Sequence, residues 1–435
     1  MSELPAAQPT QAGVLDGRGA RGVAVAGIVV AATGFVIQAL VSRTASAEDT
    51  ALFLVFWSLL FAVVGITGGI QNESTRAVRA GFRDETPSAD APGAGGTTGT
   101  PGASGARVVP VGLAVGALIA VVVLATSPLW GSSVLQEHTA TGVVLVALAA
   151  FAFSGHASVT GALAGAGAWK VYARVVGLES VVRLVLVVAV VVVSATLLNL
   201  MVATAVATAA WLLALATSSQ TRSTLAMRAD RPARRYVSGL GHAVVASSST
   251  AVLVVGFPVL IQLTTPDDVV TAAAPLLLAI SLTRAPLLLP LNAFQGVAIA
   301  HFVEHPERRA RTLTVIVGIV AVVGAVGAGL AALVGPWLMD VVLHQQIGSA
   351  VLAALTGAGA LLALLTLTGT AVLALGRHRA YSTGWAVASI LAVVLLLLPG
   401  SLEQRVLVSL WVSPLVGAAI HAWALVQSRA PRSVG

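Results

Sequence analysis

Two arginines of this chain, Arg183 and Arg284, fall deep inside long apolar runs. A cation at the centre of a bilayer costs at least ~2.5 kcal/mol, so each needs a counter-charge, a water-filled cavity or an anionic ligand to hold it there. Glu179 lies four residues before Arg183, one helical turn away and on the same face, with the acid on the favourable N-terminal side. Two readings stand for that pair. It is either a self-neutralised pair that lowers the cost of insertion, or a cleft-facing pair in which Arg183 meets an anionic head group and Glu179 responds to an ion or proton.

Arg284 has no such neighbour, because no acid occurs between Asp268 and Glu304. Pro286 and Pro290 follow, removing backbone donors beside the charge and kinking the helix there, so they are gating candidates. Asn292 and Gln295 continue the polar side as further binding candidates. A third cluster, Gln71-Asn72-Glu73-Ser74-Thr75-Arg76, closes another apolar run; Arg76 is an entry contact for phosphate and Glu73 a gating group, or the run is a solvated helix end. His156, mid-span, reads as a histidine hydrogen-bonded to a neighbouring helix rather than a proton carrier.

The elements that must position these groups follow from composition. The chain is 57% hydrophobic and 9% charged, with a mean hydropathy of +0.94, which describes a polytopic membrane protein. The net charge of +7 comes from short basic loops between apolar runs, which set orientation and exclude nucleic acid as a partner. There is no cysteine, hence no disulfide, thiolate metal site or cysteine nucleophile. No Walker A sequence, dinucleotide fingerprint, HExxH or GxSxG occurs, so a non-enzyme without cofactor or metal is expected, driven by a gradient, the membrane potential or its substrate's own gradient.

Apolar runs long enough to cross ~30 Å of hydrocarbon begin near residues 22, 50, 108, 141, 175, 199, 240, 269, 313, 350, 380 and 406, giving twelve spans. With both termini cytoplasmic, twenty Lys and Arg residues fall inside and two, Arg43 and Arg405, outside. Ala45-Ser46-Ala47 resembles a signal cleavage site, but the preceding apolar run exceeds an ordinary signal core, so an uncleaved first span is expected.

Gly167-x-x-Lys170-x-Tyr172 recurs as Gly376-x-x-Arg379-x-Tyr381 in an equivalent loop, and weaker echoes share the offset. The expected architecture is therefore an all-α integral membrane protein of about twelve transmembrane helices. Its two six-helix lobes would be related by a pseudo-two-fold axis along the membrane normal, with a central cleft. The expected divisions are a tail over 1–21, an N-lobe over 22–218, a basic linker over 219–239, a C-lobe over 240–427 and a tail over 428–435. A disordered Gly/Pro-rich loop is expected over 84–106. Gly65/Gly69, Gly112/Gly116 and Gly161/Gly165 have the spacing of close helix packing.

On these residues the chain resembles the multidrug/oligosaccharidyl-lipid/polysaccharide exporter superfamily, in particular its polysaccharide repeat-unit flippase-like branch. The residues are the 71–76 run, Gly161 to Gly167 leading through Tyr172 to Glu179-x-x-x-Arg183, Thr283-Arg284-Ala285-Pro286, and Ala374 to Tyr381. The resemblance implies a V-shaped pair of lobes and alternating access for a lipid-linked saccharide, with a basic cavity for a polyprenyl diphosphate. Arg284, Arg183 and Arg76 match that role by chemistry and depth. Drug-exporting relatives rely on a carboxylate in the first span, whereas here no Asp or Glu occurs between Asp16 and Glu48.

The expectation is thus an inner (plasma) membrane flippase for cell-surface polysaccharide assembly, acting as a monomer among membrane lipids. Glycosyltransferases or a polysaccharide polymerase are its candidate partners. The alternatives are a cation-coupled multidrug or metabolite exporter and a non-transporting scaffold for glycan assembly.

Overall fold

A computed structural model describes residues 17–84, 105–283, 309–375 and 377–427. Sixteen α-helices account for nearly all of them, because a chain in hydrocarbon must satisfy its backbone hydrogen bonds internally. The first half holds α1 (Gly17–Thr44), α2 (Ala47–Asp84), α3 (Val108–Leu135), α4 (Thr139–Gly165), α5 (Trp169–Val193), α6 (Leu197–Val206) and α7 (Trp211–Thr217). A short α8 (Ser219–Ser223) leads into the linker. The second half holds α9 (Ala233–Val254), α10 (Phe257–Thr264), α11 (Asp267–Thr271), α12 (Ala274–Thr283), α13 (Arg309–Leu343), α14 (Ser349–Ala374), α15 (His378–Leu396) and α16 (Leu402–Gln427).

Among the described residues, nine helical stretches are long and apolar enough to cross a membrane, ten when the bent α6–α7 pair is taken as one span. One stretch, Val108–Gly165, holds 58 residues, roughly 87 Å of helix and too long for a single crossing. It folds back on itself at Gln136, whose φ of 47° ends α3, and α4 then packs along α3. The helix starts fall close to the expected residues, with three differences. The span expected from 199 is bent by 42° between α6 and α7. Thr204 and Thr208 return their hydroxyls to the Leu200 and Ala205 carbonyls at this point, and Ala207–Ala209 tightens into a 3-10 turn. The span expected from 269 is preceded by the short α10 and α11, and only its first part, α12, is described. Finally, α9 begins at Ala233, which ends the expected linker seven residues early.

Ser46 lies at the α1–α2 junction and accepts a hydrogen bond from the Asp49 N–H at 3.0 Å, so the Ala45–Ala47 segment is a helix cap. All three GxxxG pairs are close approaches. A Cβ on Gly65 would lie 2.9 Å from the Ala251 Cβ of α9, and Gly112 and Gly116 face Ser158 and Ser154 of α4. Gly161 and Gly165 receive the backbone of α2 at Gln71 and Thr75.

Most basic side chains gather at one end of the bundle, with Arg76, Arg107, Lys170, Arg231, Arg311 and Arg379 among them. At the opposite end both halves share one core, in which Ile37, Val41, Phe56 and Leu60 meet Phe257, Ile261, Met339, Leu343 and Leu355. Toward the basic end separate cores appear. One joins α3, α4, α5 and α7 through Val159, Leu163, Val175 and Trp211; another joins α14 and α16 through Ala371, Val372, Ala424 and Leu425. The α2–α9 seam continues there through Ile70, Tyr236 and Leu240. Arg43 and Arg405, the two cations of the opposite end, each cap a helix C-terminus. Arg43 donates to the Val341 and Val342 carbonyls of α13, and Arg405 donates to the Leu396 carbonyl of α15 at 2.9 Å.

Candidate functional site

The buried charge of the described membrane interior is on α5. Arg183 and Glu179 are 4% and 6% exposed and form an ion pair through Arg183 Nη2 and Glu179 Oε1. The guanidinium also lies over two rings of α2, 4.7 Å from the centre of Phe61 and 5.8 Å from Trp57. Its Nε has no hydrogen-bond partner. The arrangement is an electroneutral polar island beside aromatic faces, with the Nε–H among the donors left without a partner.

His156 is buried in α4 and stacks on Phe153 with ring centres 4.6 Å apart. Its Nδ1 has no hydrogen-bond partner.

The 71–76 run divides its residues between α4 and α5 on one side and α9 with the linker on the other. Gln71 accepts from Thr160 at 3.3 Å and donates to the Tyr172 hydroxyl at 3.2 Å, while Ser74 meets the Tyr236 hydroxyl at 2.8 Å. Arg76 grips Glu73 at 2.7 Å and both oxygens of Asp230 at 3.1 Å. Asp230 also accepts from Arg231 at 3.0 Å. Arg76 is therefore engaged by two carboxylates rather than presented free, and a phosphate would have to displace one of them.

The linker is not loose at this point. Ala106 and Ala229 pair at 2.8 Å, Arg107 and Arg228 form an antiparallel bridge, and the Asp230 N–H donates to the Ala77 carbonyl at 3.1 Å. Gly105 and Ala106, expected within a disordered loop over 84–106, join this pairing, and Asp84 ends α2, whereas 85–104 lie outside the described residues. Burial works against the Asp230 carboxylate, but the hydrogen bonds from Arg76 and Arg231 outweigh it and hold the group below its ordinary range. A carboxyl whose folded value is lowered stabilises above the ordinary value and loses that contribution as pH falls through the lowered one. Thermal stability should accordingly drop by about 1 kcal/mol or less on acidification below pH ~4, and the drop should vanish in Asp230→Asn. A stability-against-pH series in detergent on both proteins measures it.

The structure does not bring all the expected site residues together. Arg183 meets α2 at Phe61, whereas Arg76 lies fifteen residues further along α2, roughly 22 Å at 1.5 Å per residue. Arg284, Pro286, Pro290, Asn292 and Gln295 lie outside the described residues. Two features escape a reading by deep charges. Ser247-Ser248-Ser249-Thr250 is a half-exposed hydroxyl run midway along α9, and His421 is a buried histidine of α16. The low apolarity of residues 247–250 inside a span was the available signal for the first.

No protein-family model matches the chain. It is 37% identical over 411 residues to the Mycobacterium tuberculosis protein "Uncharacterized protein Rv3630", covering 93% of this chain and 91% of that one. It is 36% identical over 431 residues to "Uncharacterized protein Rv1510" of the same species, covering 98% and 96%. Among solved structures it resembles the inward-facing conformation of a multidrug resistance MATE family transporter of the MOP superfamily. That match has a TM-score of 0.66 and 14% identity over 94% of this chain and all of that one. A MOP superfamily transporter from Pyrococcus furiosus, described as having a binding pocket of reverse polarity, matches with a TM-score of 0.64 at 14% identity, covering 94% of each chain. These structures establish the fold: an all-α integral membrane protein with the two six-helix lobes of MATE transporters. The chain belongs to the family of the mycobacterial proteins Rv3630 and Rv1510, a multi-pass membrane protein with the architecture of the MOP superfamily.

Proposed function

We propose that this protein is a flippase that carries a lipid-linked, polyprenyl-diphosphate oligosaccharide across the plasma membrane by alternating access, its basic end in the cytoplasm. The observation that carries the reading is the polarity of the membrane interior. The buried cation Arg183 is held by one acid and two aromatic faces, and the first span contributes no carboxylate that would attract a cationic drug. A guanidinium over aromatic rings suits a diphosphate bearing a long apolar chain, because the charge and the rings can serve the two ends of one ligand. Arg284 supplies the second cation in this reading, with Asn292 and Gln295 beside it and Pro286 and Pro290 as the hinge. Glu179 modulates Arg183, and Arg76 with Glu73 forms the entry, where an incoming phosphate competes with Asp230. The unpartnered Nε of Arg183 is the donor such a ligand would use first.

The likeness to MATE structures favours a second reading, a cation-coupled exporter of amphipathic drugs. For the P. furiosus protein, reverse polarity of the binding pocket is described as suggesting a different function, so the fold by itself does not select the drug reading. Proteoliposomes loaded with a fluorescent polyprenyl-diphosphate oligosaccharide distinguish the two readings. Wild type should translocate the glycolipid, and Arg284→Ala should lose about 30-fold or more, corresponding to ~2 kcal/mol for a lost charged contact to phosphate. Arg284→Lys should retain part of the activity, since an ammonium cannot grip phosphate bidentately. Wild-type rates in Arg284→Ala would remove that residue from the site. Drug efflux by a wild type that moves no glycolipid would establish the second reading instead.

A further inference from the structure

His421 lies at the basic end of the second half, fully buried, in a slot formed by missing side chains. A Cβ on Gly384 of α15 would fall on the imidazole ring, and one on Gly369 of α14 would lie 3.0 Å from its Cε1. Both ring nitrogens face defined partners, and the Leu365 carbonyl also lies within hydrogen-bond reach of the ring. Nε2 is 3.2 Å from the Tyr381 carbonyl, an oxygen that only accepts, so Nε2 carries a hydrogen.

Nδ1 is 3.3 Å from the Thr368 hydroxyl, which is itself 2.8 Å from the Leu364 carbonyl and 3.1 Å from that of Leu365. A hydroxyl has one proton to give. If Thr368 donates to Nδ1, the ring is neutral. If Thr368 donates to Leu364, its lone pair faces Nδ1, and the contact is satisfied only when Nδ1 also carries a hydrogen. In that second arrangement every donor of a doubly protonated imidazolium has an acceptor.

We propose that His421 is a proton-binding site of the second half, taking one proton from water onto Nδ1 as the Thr368 hydroxyl turns to the Leu364 carbonyl. The added positive charge lies against the Tyr381 ring, parallel to within 3° at 6.1 Å between centres. The Tyr381 hydroxyl bonds Thr250 of α9 at 3.1 Å, and α9 is the helix that packs along α2 from the other half. Protonation at His421 therefore acts one hydrogen bond away from the contact between the halves.

Little else near the ring titrates. The α14 sequence holds no ionisable residue; α15 opens with His378 and the exposed Arg379 and presents the Tyr381 phenol. Arg377 is turned to the Ala424 carbonyl. On α16 itself, Glu403 and Arg405 stand sixteen or more residues away, beyond about 24 Å. From α9, His242 is exposed and bonds Ser238, Tyr236 bonds Ser74, and Arg234 and Arg235 are exposed. Arg311 of α13 is exposed. Among the described residues no carboxylate is paired with the ring, so carbonyl and hydroxyl acceptors and the Tyr381 ring alone meet its charge.

The test uses the full chain in lipid nanodiscs and does not depend on what the protein carries. Ile420-His421 is the sole Ile-His pair in the sequence, so 13C-isoleucine with 15N-histidine labelling assigns the ring by solid-state NMR without a variant. As the pH is lowered from about 8 to about 4 the assigned imidazole should pass from one protonated nitrogen to two. Thr368→Val removes the hydroxyl and leaves the Leu365 carbonyl as the remaining acceptor on that side of the ring, so the midpoint should move to lower pH. A ring that keeps one protonated nitrogen throughout, or a midpoint unchanged in Thr368→Val, would overturn the proposal.

Discussion

Glu179→Ala should destabilise the folded protein by about 3–5 kcal/mol, because it leaves the Arg183 guanidinium buried without its counter-charge. Cation–π contact with Phe61 and Trp57 offsets this by only ~2 kcal/mol even when fully desolvated. Thermal unfolding in detergent, beside the yield of membrane-inserted protein, measures the effect. The informative companion is Glu179→Leu with Arg183→Leu. Removing both charges replaces a buried pair by apolar groups of similar volume, and such exchanges are often neutral or stabilising. The double variant should therefore insert and fold to within about 1–2 kcal/mol of wild type. Its transport activity then separates the two roles of the pair. A folded double variant that no longer translocates places Arg183 in the transport site; one that translocates normally makes the pair an insertion device alone. Glu179→Ala cannot separate them, since a folding defect and a transport defect look alike.

The outcomes of the sequence reading follow from what each feature depends on. Span starts were legible because crossing a bilayer requires a fixed length of apolar chain, and α3, α4 and α14 begin within about two residues of where that rule places them. The Glu179–Arg183 pair was legible because its partner is one turn away. Arg76 was not, because Asp230 lies 154 residues further on and reaches it only through a linker paired to Ala106 and Ala77. A composition rule reads that linker as a basic tether and cannot register the backbone pairing that fixes it. The α6–α7 bend escaped for a similar reason. No proline marks it, and threonine hydroxyls returning to the previous turn are invisible to a hydropathy window. His421 carries no local charge pattern. What makes it a site is the absence of side chains at Gly369 and Gly384 on two other helices, which is a property of the packed bundle.

The α2–α9 seam supports the second large prediction. In Gly69 the backbone of α9 at Ala243 and Val244 occupies the place of a side chain, and Gly65 one turn earlier faces Ala251. The seam continues through the Ser58 hydroxyl to the Val255 carbonyl and through Ser74 to Tyr236, so it runs most of the length of α9. A leucine at Gly69 has no rotamer that avoids backbone and must push the helices apart. Overpacking of this kind costs typically 1–3 kcal/mol, and here the obstacle is main chain that cannot repack, so about 3 kcal/mol is expected. Because α2 belongs to the first half and α9 opens the second, the loss should appear as separation of the halves rather than as unfolding of either. Spin-label distances between the halves should lengthen in Gly69→Leu, while labels placed within the α3–α4 pair keep their wild-type separation. Gly68→Leu is the control: it is adjacent in sequence, with no atom within 4 Å of its Cβ position, and should leave both distances unchanged. Equal disturbance by the two substitutions would mean that α2 tolerates no added bulk at this depth and that the seam has no special part in joining the halves.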